Sequence, residues 1–477
     1  MNSSLETTPN STATIEFFGR RLDISRLFAG TLLASPLRRR FTSNVAFIVA
    51  GNGASQAASL LAYFAVARVL GKDAFGRFSL VQNTAVVLAG LTGCLGLTAT
   101  KHLAAFRASD SRRAGAALGL LDTAAFAAAL TMAVVLFFGA TPVSAVAFHA
   151  ASLAPLLRIA ALLLFFTAIT NSQSGALAGF EAYKRMTGPL FFRAAMILPV
   201  FVAGAALAGI TGALWALTAI AAMVCIWNRR ILQQCCRAHA IRPDVRAGLK
   251  EWGLLGRFSA PAFLIGIIPA PCLWLGQAML AHQPHGFAEC GAFAAAFQYR
   301  MAITALPGLL AAPLVPMISN IDLPDAQRRN RMIGAVCLAA LIVSGVPALI
   351  MGLFSPWFMR AYGSRFVVNS AVLAVLASSA VVSAVGNPIV AALTSMGRMW
   401  HVFAANVLWA AVFLISAAGL VPLHKASGLA SAQILADLCL LVCVLAAYAI
   451  LQRTACNKLL RPEQACGLEP ASSFILR

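Results

Sequence analysis

Five ionisable side chains lie inside long apolar stretches of this sequence, where a charged group is costly. Three are arginines (Arg158, Arg193, Arg300) and two are aspartates (Asp122, Asp437). A guanidinium supplies a permanent charge and several hydrogen-bond donors, so these arginines suit an anion such as a phosphate group. The aspartates are either ion-coupling sites or ion-pair partners of the arginines, and the sequence leaves both interpretations open.

Arg300 is the best placed of the three arginines to line a cavity. It follows Gln298 and Tyr299 roughly ten residues into its apolar stretch, near mid-membrane depth, where its side chain cannot easily reach water. Arg158 and Arg193 lie within about two helical turns of the ends of their stretches, where a long side chain can extend to the membrane surface. We expect Arg300 to face a cavity and leave both environments open for the other two.

Neutral polar residues add hydrogen-bonding capacity. Asn52, Ser55, Gln56 and Ser59 recur at spacings of three and four residues, so they share one face of a helix. A membrane helix with such a stripe faces a wet cavity or bonds to a neighbouring helix. The amides that we assign to the cavity are Asn52, Gln56, Gln82, Asn83, Gln277 and Gln298.

The elements that hold these residues are membrane helices. Of 477 residues, 60% are hydrophobic and only 11% are charged, with a mean hydropathy of +0.83. Soluble proteins keep about a quarter of their residues charged, so the solvent around this chain must be largely lipid. We predict an all-α polytopic membrane protein, and the composition excludes the soluble multidomain classes.

The net charge of +21 indicates orientation rather than a nucleic-acid partner. Lysine and arginine concentrate in alternate loops, and an excess of these residues marks the cytoplasmic side of a membrane. Both termini are then cytoplasmic, and no soluble basic domain remains to bind nucleic acid. We place about twelve transmembrane helices near residues 44–67, 78–98, 115–139, 156–177, 187–208, 212–227, 258–280, 291–316, 333–354, 367–392, 402–421 and 427–450.

This topology divides the chain into five segments. Residues 1–43 form a basic cytoplasmic arm, either an interfacial amphipathic helix or a loosely ordered leader. Residues 44–227 and 258–450 form two six-helix bundles, joined by the basic cytoplasmic linker 228–257. Residues 451–477 form a cytoplasmic tail.

The two bundles share short motifs at a nearly constant offset. Gly76-Arg-Phe78 opens the second span and Gly291-Ala-Phe293 opens the eighth, 215 residues later. Two further pairs of matching segments recur at offsets of 213 and 216 residues, namely 184–186 with 397–399 and 211–214 with 427–430. Since six spans is an even number, both copies keep the same orientation, which predicts two bundles around a central cleft.

The first two spans form a hairpin around the segment RVLGKDAFGR. The preceding 24 residues, 44–67, carry no charge and cover about 36 Å as a helix, enough for a hydrocarbon core of ~30 Å. The distribution of basic residues puts this turn on the external side. We expect Arg68, Lys72 and Arg77 either to meet a phosphate or sugar leaving the cavity at an external mouth, or to form a structural corner.

Patterns for catalysis and metal binding are absent from the sequence. It contains no Walker A, HExxH or GxSxG motif, and its eleven cysteines show no CxxC or Cys/His ligand spacing. We therefore expect neither an enzyme nor a metal site or cofactor.

Several of these segments resemble the Wzx-type polysaccharide flippases. The resemblance rests on Arg68-Val-Leu70-Gly71 followed by Phe75-Gly76-Arg-Phe78, after a first span with Asn52 and Gln56. The eighth span, FQYRMAITALPGLLAAPLVPMIS, and the segments FSP and AYGSRF within 354–366 resemble the second half of that family. The superfamily also holds the multidrug and toxin extrusion (MATE) transporters and the lipid II flippase, and the resemblance covers roughly 44–450.

The resemblance implies a MATE-like fold with a pseudo-twofold axis. It also implies a translocase in the bacterial inner membrane that moves an undecaprenyl-diphosphate-linked oligosaccharide to the outer leaflet by alternating access, for surface polysaccharide or exopolysaccharide synthesis. Its implied partners are that oligosaccharide, anionic membrane lipids, and assembly proteins such as a polysaccharide polymerase. Three intramembrane arginines against two aspartates favour an anionic cargo.

Two alternatives stay open. One is a cation-coupled small-molecule or multidrug exporter of the same superfamily. The other is a membrane scaffold of a polysaccharide-assembly complex without transport of its own, against which the intramembrane charges argue.

Overall fold

The computed structural model describes residues 14–17, 20–23, 36–107, 109–250, 268–311 and 326–459, which are almost entirely helical. The helices are α1 Pro36–Leu70, α2 Lys72–Gly90, α3 Gly93–Phe106, α4 Ser111–Phe148, α5 Ala154–Gly179, α6 Tyr183–Ala238, α7 Val245–Lys250, α8 Pro269–Ala281, α9 Gly286–Ala311, α10 Ala326–Leu353, α11 Ser355–Arg360, α12 Ser370–Ser395 and α13 Met399–Leu459. Strands β1 Thr14–Phe17 and β2 Arg20–Asp23 and the 3-10 turns Ala151–Leu153 and Ser364–Asn369 complete the described part.

About twelve membrane crossings account for the long helices. Eight helical stretches of the described part are long and apolar enough to cross a bilayer. Two of them, α6 and α13, contain non-helical backbone at Ala208–Gly209 and at Lys425, so each supplies two crossings. Helices α8 and α9 lie where we expected the seventh and eighth crossings. The predicted all-α polytopic fold is confirmed.

We number these crossings as spans 1 to 12. Spans 1 to 4 are α1, α2 with α3, α4 and α5, and spans 5 and 6 are the two arms of α6. Spans 7 to 10 are α8, α9, α10 and α12, and spans 11 and 12 are the two arms of α13.

Helix packing falls mainly within the first six or the last six spans. Helix α1 packs on α6 and α4 on α5 in the first set, while α12 packs on α9, α10 and α13 in the second. Between the sets, span 2 packs on spans 7 and 8. The largest buried apolar cluster draws on both sets. The division into two six-helix bundles stays a prediction, which this packing supports.

The turn of the first hairpin is much shorter than the ten residues that we expected. Helix α1 ends at Leu70 and α2 begins at Lys72, with Gly71 alone between them at a φ of 79°. Glycine adopts this left-handed backbone without a steric penalty. The charged residues around it are therefore helical, which fixes where their side chains project.

The basic segment 228–257, which we predicted as a cytoplasmic linker, is partly helical. Span 6 continues as helix to Ala238, and α7 packs back against span 3. This packing depends on glycine, because a Cβ at Gly115 would lie 2.2 Å from the carbonyl oxygen of Arg242. Charge marks where a helix leaves the lipid but does not end the helix, so the sequence underestimated its length. Residues 251–257 lie outside the described residues.

The amino-terminal arm forms a short ribbon where an interfacial helix was one expectation. Strands β1 and β2 are antiparallel, and their register pairs Glu16 with Arg21. Span 1 begins at Pro36, well before the expected residue 44, and proline suits the first turn of a helix. The rest of the arm and residues 460–477 of the tail lie outside the described residues.

Candidate functional site

The deepest charged side chains form one hydrogen-bonded network inside the last six spans. Arg300 on span 8 pairs with Asp437 on span 12, with 2.9 Å between Nη2 and Oδ2. Ser379 and Ser383 on span 10 bridge them, since each hydroxyl accepts a bond from Arg300 and donates one to Asp437, at 2.6 to 3.0 Å. Arg300 is 9% exposed and Asp437 is 5% exposed. Partners on both sides offset the cost of burying these charges.

Asp437 has no acceptor position left in this network. Trp409 Nε1 and Gln433 Nε2 donate to Oδ1 at 2.9 and 3.0 Å, in addition to the three donors on Oδ2. A carboxylate offers about four lone-pair positions. The five donors therefore leave Asp437 unable to bind a further cation in this conformation.

Arg300 lies at the depth that we expected. It is about 21 Å along the helix from Gly286, at 1.5 Å per residue, which is near mid-membrane. Its guanidinium lies over the ring of Phe297, 5.4 Å from the centroid, and is directed into the last six spans. Its charge is paired with that of Asp437, and it lines a cavity inside the last six spans. Its role in substrate binding stays a prediction.

Asp122 also has an arginine partner. Its carboxylate forms an ion pair with Arg229 of span 6. Asp122 lies about 39 Å along the helix from Phe148, further than the ~30 Å hydrocarbon core, so it belongs to the end of span 3 that we predict to be cytoplasmic. We use the words cytoplasmic and external below in the sense of that prediction. We misplaced it at depth because span 3 is 38 residues long, and its charged end had been taken as loop.

Arg158 lies apart from the other candidates. It is exposed on the first turns of span 4, close to the external end. Its contacts are with span 3, a 3.5 Å approach to the Thr141 hydroxyl and the ring of Phe137 at 5.9 Å. This is the surface environment that a long side chain near a helix end can reach.

Arg193 lies beside the polar stripe of span 1. Spans 1 and 5 run parallel, because Gly51 is next to Leu190 near the cytoplasmic end and the ring of Tyr63 contacts that of Phe201 further out. Arg193 falls between these two contacts, about 15 Å along the helix from the start of span 5. It is therefore close to mid-membrane, deeper than its sequence position suggested.

Arg193 is exposed on span 5. At about 100° per residue, it lies roughly 140° to 160° around the helix from the exposed apolar side chains Phe191 and Leu198, and about 20° from Val200, which is 37% exposed two turns further on. It interacts electrostatically with Tyr63, on the inner side of the bundle. Within the described residues it has no ion pair. Arg193 is thus a cation near mid-membrane without an ion-pair partner in the part of the chain that the structure describes.

Three of the six predicted amides come together around span 2. Gln82 donates a hydrogen bond to the Tyr63 hydroxyl, and Asn83 Nδ2 donates to Gln277 Oε1 at 3.1 Å. The second bond joins the first six spans to the last six. Three further amides form no side-chain hydrogen bond with the described residues and stay available to a ligand: Asn52, Gln56 and Gln298.

The two glycines of the repeated motif meet each other on the external side. A Cβ on Gly76 would lie 1.7 Å from the carbonyl oxygen of Phe287, and one on Gly291 would lie 2.3 Å from that of Lys72. Contacts this close between two backbones require residues without a side chain. The two copies of the motif therefore pack on each other where span 2 crosses span 8.

Cations of the first hairpin extend this contact. Arg68 Nε donates to the carbonyl oxygen of Ala361 at 2.8 Å. Lys72 Nζ donates to Asn369 Oδ1 at 2.6 Å and lies 4.0 Å from Glu289. Both side chains bind the last six spans, which supports the structural interpretation of this turn over a free substrate mouth.

Aromatic rings complete the external contact and were missed in the sequence. Arg77, the third predicted cation, lies over the ring of Phe287 at 5.0 Å. Phe64 of span 1 contacts Tyr299 and Tyr362 at ring-centroid distances of 5.6 and 4.7 Å. An apolar residue in an apolar span carries no signal of its partner. Together these contacts close the external side between the two sets of spans.

Comparison with known proteins assigns the chain to a family. The profile of polysaccharide biosynthesis proteins matches residues 41–322. The EPS I polysaccharide export inner membrane protein EpsE of Ralstonia nicotianae is 26% identical over 372 residues, which cover 76% of this chain and 83% of that protein.

Solved transporter structures share the fold. The lipid II flippase MurJ in an inward closed conformation matches with a TM-score of 0.68 at 12% identity, over 87% of this chain and 90% of that one. An inward-facing MATE multidrug resistance transporter of the MOP superfamily matches with a TM-score of 0.67 at 12% identity, over 85% and 96%. With this fold, and with the family profile covering more than half of its length, the chain belongs to the polysaccharide biosynthesis protein family.

Proposed function

We propose that this protein is a flippase that moves an undecaprenyl-diphosphate-linked oligosaccharide from the cytoplasmic to the outer leaflet of the bacterial inner membrane. Family membership and the relative named as an inner membrane polysaccharide export protein support a saccharide cargo. The fold shared with a lipid II flippase supports translocation. Anionic lipids around the protein, a polysaccharide polymerase downstream and cytoplasmic termini belong to the same proposal.

The observation that carries the proposal is the unpaired Arg193 beside the stripe of span 1. A diphosphate that crosses the membrane must keep a counter-charge, and a guanidinium supplies both charge and donors. At an effective dielectric constant of 20, two unit charges 4 Å apart attract by about 4 kcal/mol, so one such contact is substantial. The free amides of Asn52 and Gln56 lie on the helix next to it and can bind further phosphate or sugar oxygens.

The aspartates argue against the organic-cation exporter. Both Asp122 and Asp437 already pair with arginines, so neither offers a free carboxylate to a cationic drug. The closed external contact supports alternating access, because cargo bound beside Arg193 leaves only after spans 2 and 8 separate.

Transport in proteoliposomes tests this proposal. The cargo is a fluorescent polyprenyl-diphosphate oligosaccharide, and its arrival in the other leaflet is read with a membrane-impermeant quencher. We expect Arg193→Gln to slow transport at least tenfold, as for the loss of a charged hydrogen bond of ~1.5–3 kcal/mol, and Arg193→Lys to recover part of it.

Arg158→Gln is the matched control, since it removes an intramembrane arginine that lies outside the site. It should transport at the wild-type rate. Equal transport by Arg193→Gln and wild type would remove Arg193 from the pathway, and no transport of this cargo by the wild-type protein would overturn the proposed function.

A further inference from the structure

A cavity of about 250 Å³ lies inside the last six spans, next to the Arg300–Asp437 pair. Spans 7, 8, 10, 11 and 12 all contribute to its wall. Its volume equals that of about eight water molecules at ~30 Å³ each. Five uncharged polar residues line it: Thr304, Ser383, Asn387, Asn406 and Gln433.

The cavity offers no net charge to a ligand. Its charged wall residues, Arg300 and Asp437, neutralise each other at 2.9 Å, and the carboxylate is fully occupied by five donors. An added cation would find no free carboxylate lone pair, and an added anion would have to displace Asp437. The ligand that fits is therefore uncharged.

Unused hydrogen-bonding groups remain on the wall. The carboxamide of Asn387 makes no hydrogen bond with the described residues. The Asn406 amide nitrogen donates to the Val402 carbonyl oxygen at 2.9 Å, which leaves the Oδ1 atom unused. The Gln433 Oε1 atom is buried and accepts no hydrogen bond from the described residues, and the whole residue is only 1% exposed.

The wall of this cavity is mixed. Beside its polar residues it presents apolar side chains, among them Leu273, Val382 and Leu441. A ligand with hydroxyl groups at its edge and C–H groups on its faces matches both kinds of wall.

We infer that this cavity binds a single sugar ring, an uncharged polyhydroxylated unit of the cargo. The inference rests on the proposed function and deepens it, because it assigns the diphosphate to Arg193 in the first six spans and one sugar to the last six. It also means that Asp437 is a structural partner of Arg300 and not the site of a coupling cation.

Saturation-transfer NMR on the purified full-length protein tests binding directly, with free N-acetylglucosamine, galactose and glucose as probes. Gly386→Leu adds a side chain to the wall of the cavity, where there is room for its first atom because a Cβ at Gly386 meets only Leu441, at 3.8 Å. The matched control is Gly419→Leu on span 11, where a Cβ meets nothing within 4 Å. Sodium-23 NMR on the same samples tests for a cation.

We expect at least one sugar to give a saturable signal in the wild type and in Gly419→Leu, and a loss of about tenfold in Gly386→Leu, as for about 1.4 kcal/mol of binding. No saturable sugar signal in the wild type, an equal signal in both variants, or sodium binding lost in Gly386→Leu would overturn the inference.

The proteoliposome assay separates this inference from the proposed function. Wild-type transport by a Gly386→Leu protein that no longer binds sugar would place the cavity outside the pathway while the flippase stands. Absence of transport by the wild type would instead overturn the flippase and with it the sugar site.

Discussion

The contact between Gly76 and Gly291 predicts that one methyl group opens the external side. In Gly76→Ala the added Cβ would lie 1.7 Å from the Phe287 carbonyl oxygen, where real Cβ atoms essentially never come closer than 3.0 Å. The neighbouring atoms are backbone and cannot rotate away. Spans 2 and 8 must therefore move apart by at least about 1.3 Å, the difference between these distances.

The separation destabilises the externally closed state. We expect no effect on the stability of the externally open state, because spans 2 and 8 are apart there. Overpacking a close contact costs about 1–3 kcal/mol. That difference shifts an equilibrium between two states by about 5- to 150-fold. We therefore expect Gly76→Ala to raise the ratio of open to closed molecules by a factor in this range.

Spin labels at positions 149 and 282 measure the change in a cysteine-free background. His149 and His282 are exposed, belong to opposite sets of spans, and have ring centroids 4.2 Å apart in the closed contact. Dipolar coupling between the labels should be strong in the parent protein and weaker in Gly76→Ala. Gly90→Ala on the same helix, where a Cβ meets nothing within 4 Å, should leave the coupling unchanged. Equal coupling in Gly76→Ala and the parent would refute this reasoning.

Three further perturbations follow from the contacts described above. Arg300→Ala leaves the buried Asp437 unpaired and should lower the free energy of unfolding by ~3–5 kcal/mol, measured as a lower unfolding temperature. Asp437→Asn should partly restore that temperature in the double variant, and equal unfolding temperatures of Arg300→Ala and wild type would contradict this. Lys72→Gln weakens the contact with Glu289 and should raise the ratio of open to closed molecules a few-fold, as for ~1 kcal/mol or less, measured with the same spin labels. An unchanged ratio would show that this pair does not stabilise the closed state. Gly248→Ala places a Cβ 2.5 Å from a backbone oxygen of span 3 and should expose α7 to faster hydrogen exchange, which unchanged exchange would contradict.

The sequence was sufficient for the class of fold. Composition and the alternation of basic loops indicate a polytopic helical protein. Soluble proteins keep about a quarter of their residues charged, whereas this chain has 11%. The ends of the helices were harder to predict, because a charged residue indicates contact with water and not the end of a helix. Span 6 accordingly runs on to Ala238, and the hairpin turn contracts to Gly71.

Only part of the candidate site could be predicted from the sequence. The repeat identified Gly76 and Gly291, and the polar stripe identified the neighbourhood of Arg193, because both are local patterns. The network of Arg300 joins residues 79 to 137 positions apart, and nothing in the sequence links them. Hence Arg300, which we expected to face a cavity, is also paired with Asp437, whereas Arg193 has no ion pair with the described residues.

The repeat itself carries an argument about the cargo. The two halves keep the same glycine at their mutual contact, where a pseudo-twofold axis demands equivalent backbones. Their polar interiors differ, with an unpaired arginine in the first and a neutral, saturated network beside a cavity in the second. A symmetric cargo would favour similar interiors, whereas a molecule with an anionic diphosphate at one end and uncharged sugars at the other favours unlike ones. We expect Arg193→Gln to weaken binding of a polyprenyl diphosphate without sugars, and Gly386→Leu to leave that binding unchanged and weaken only binding of the sugar-bearing form.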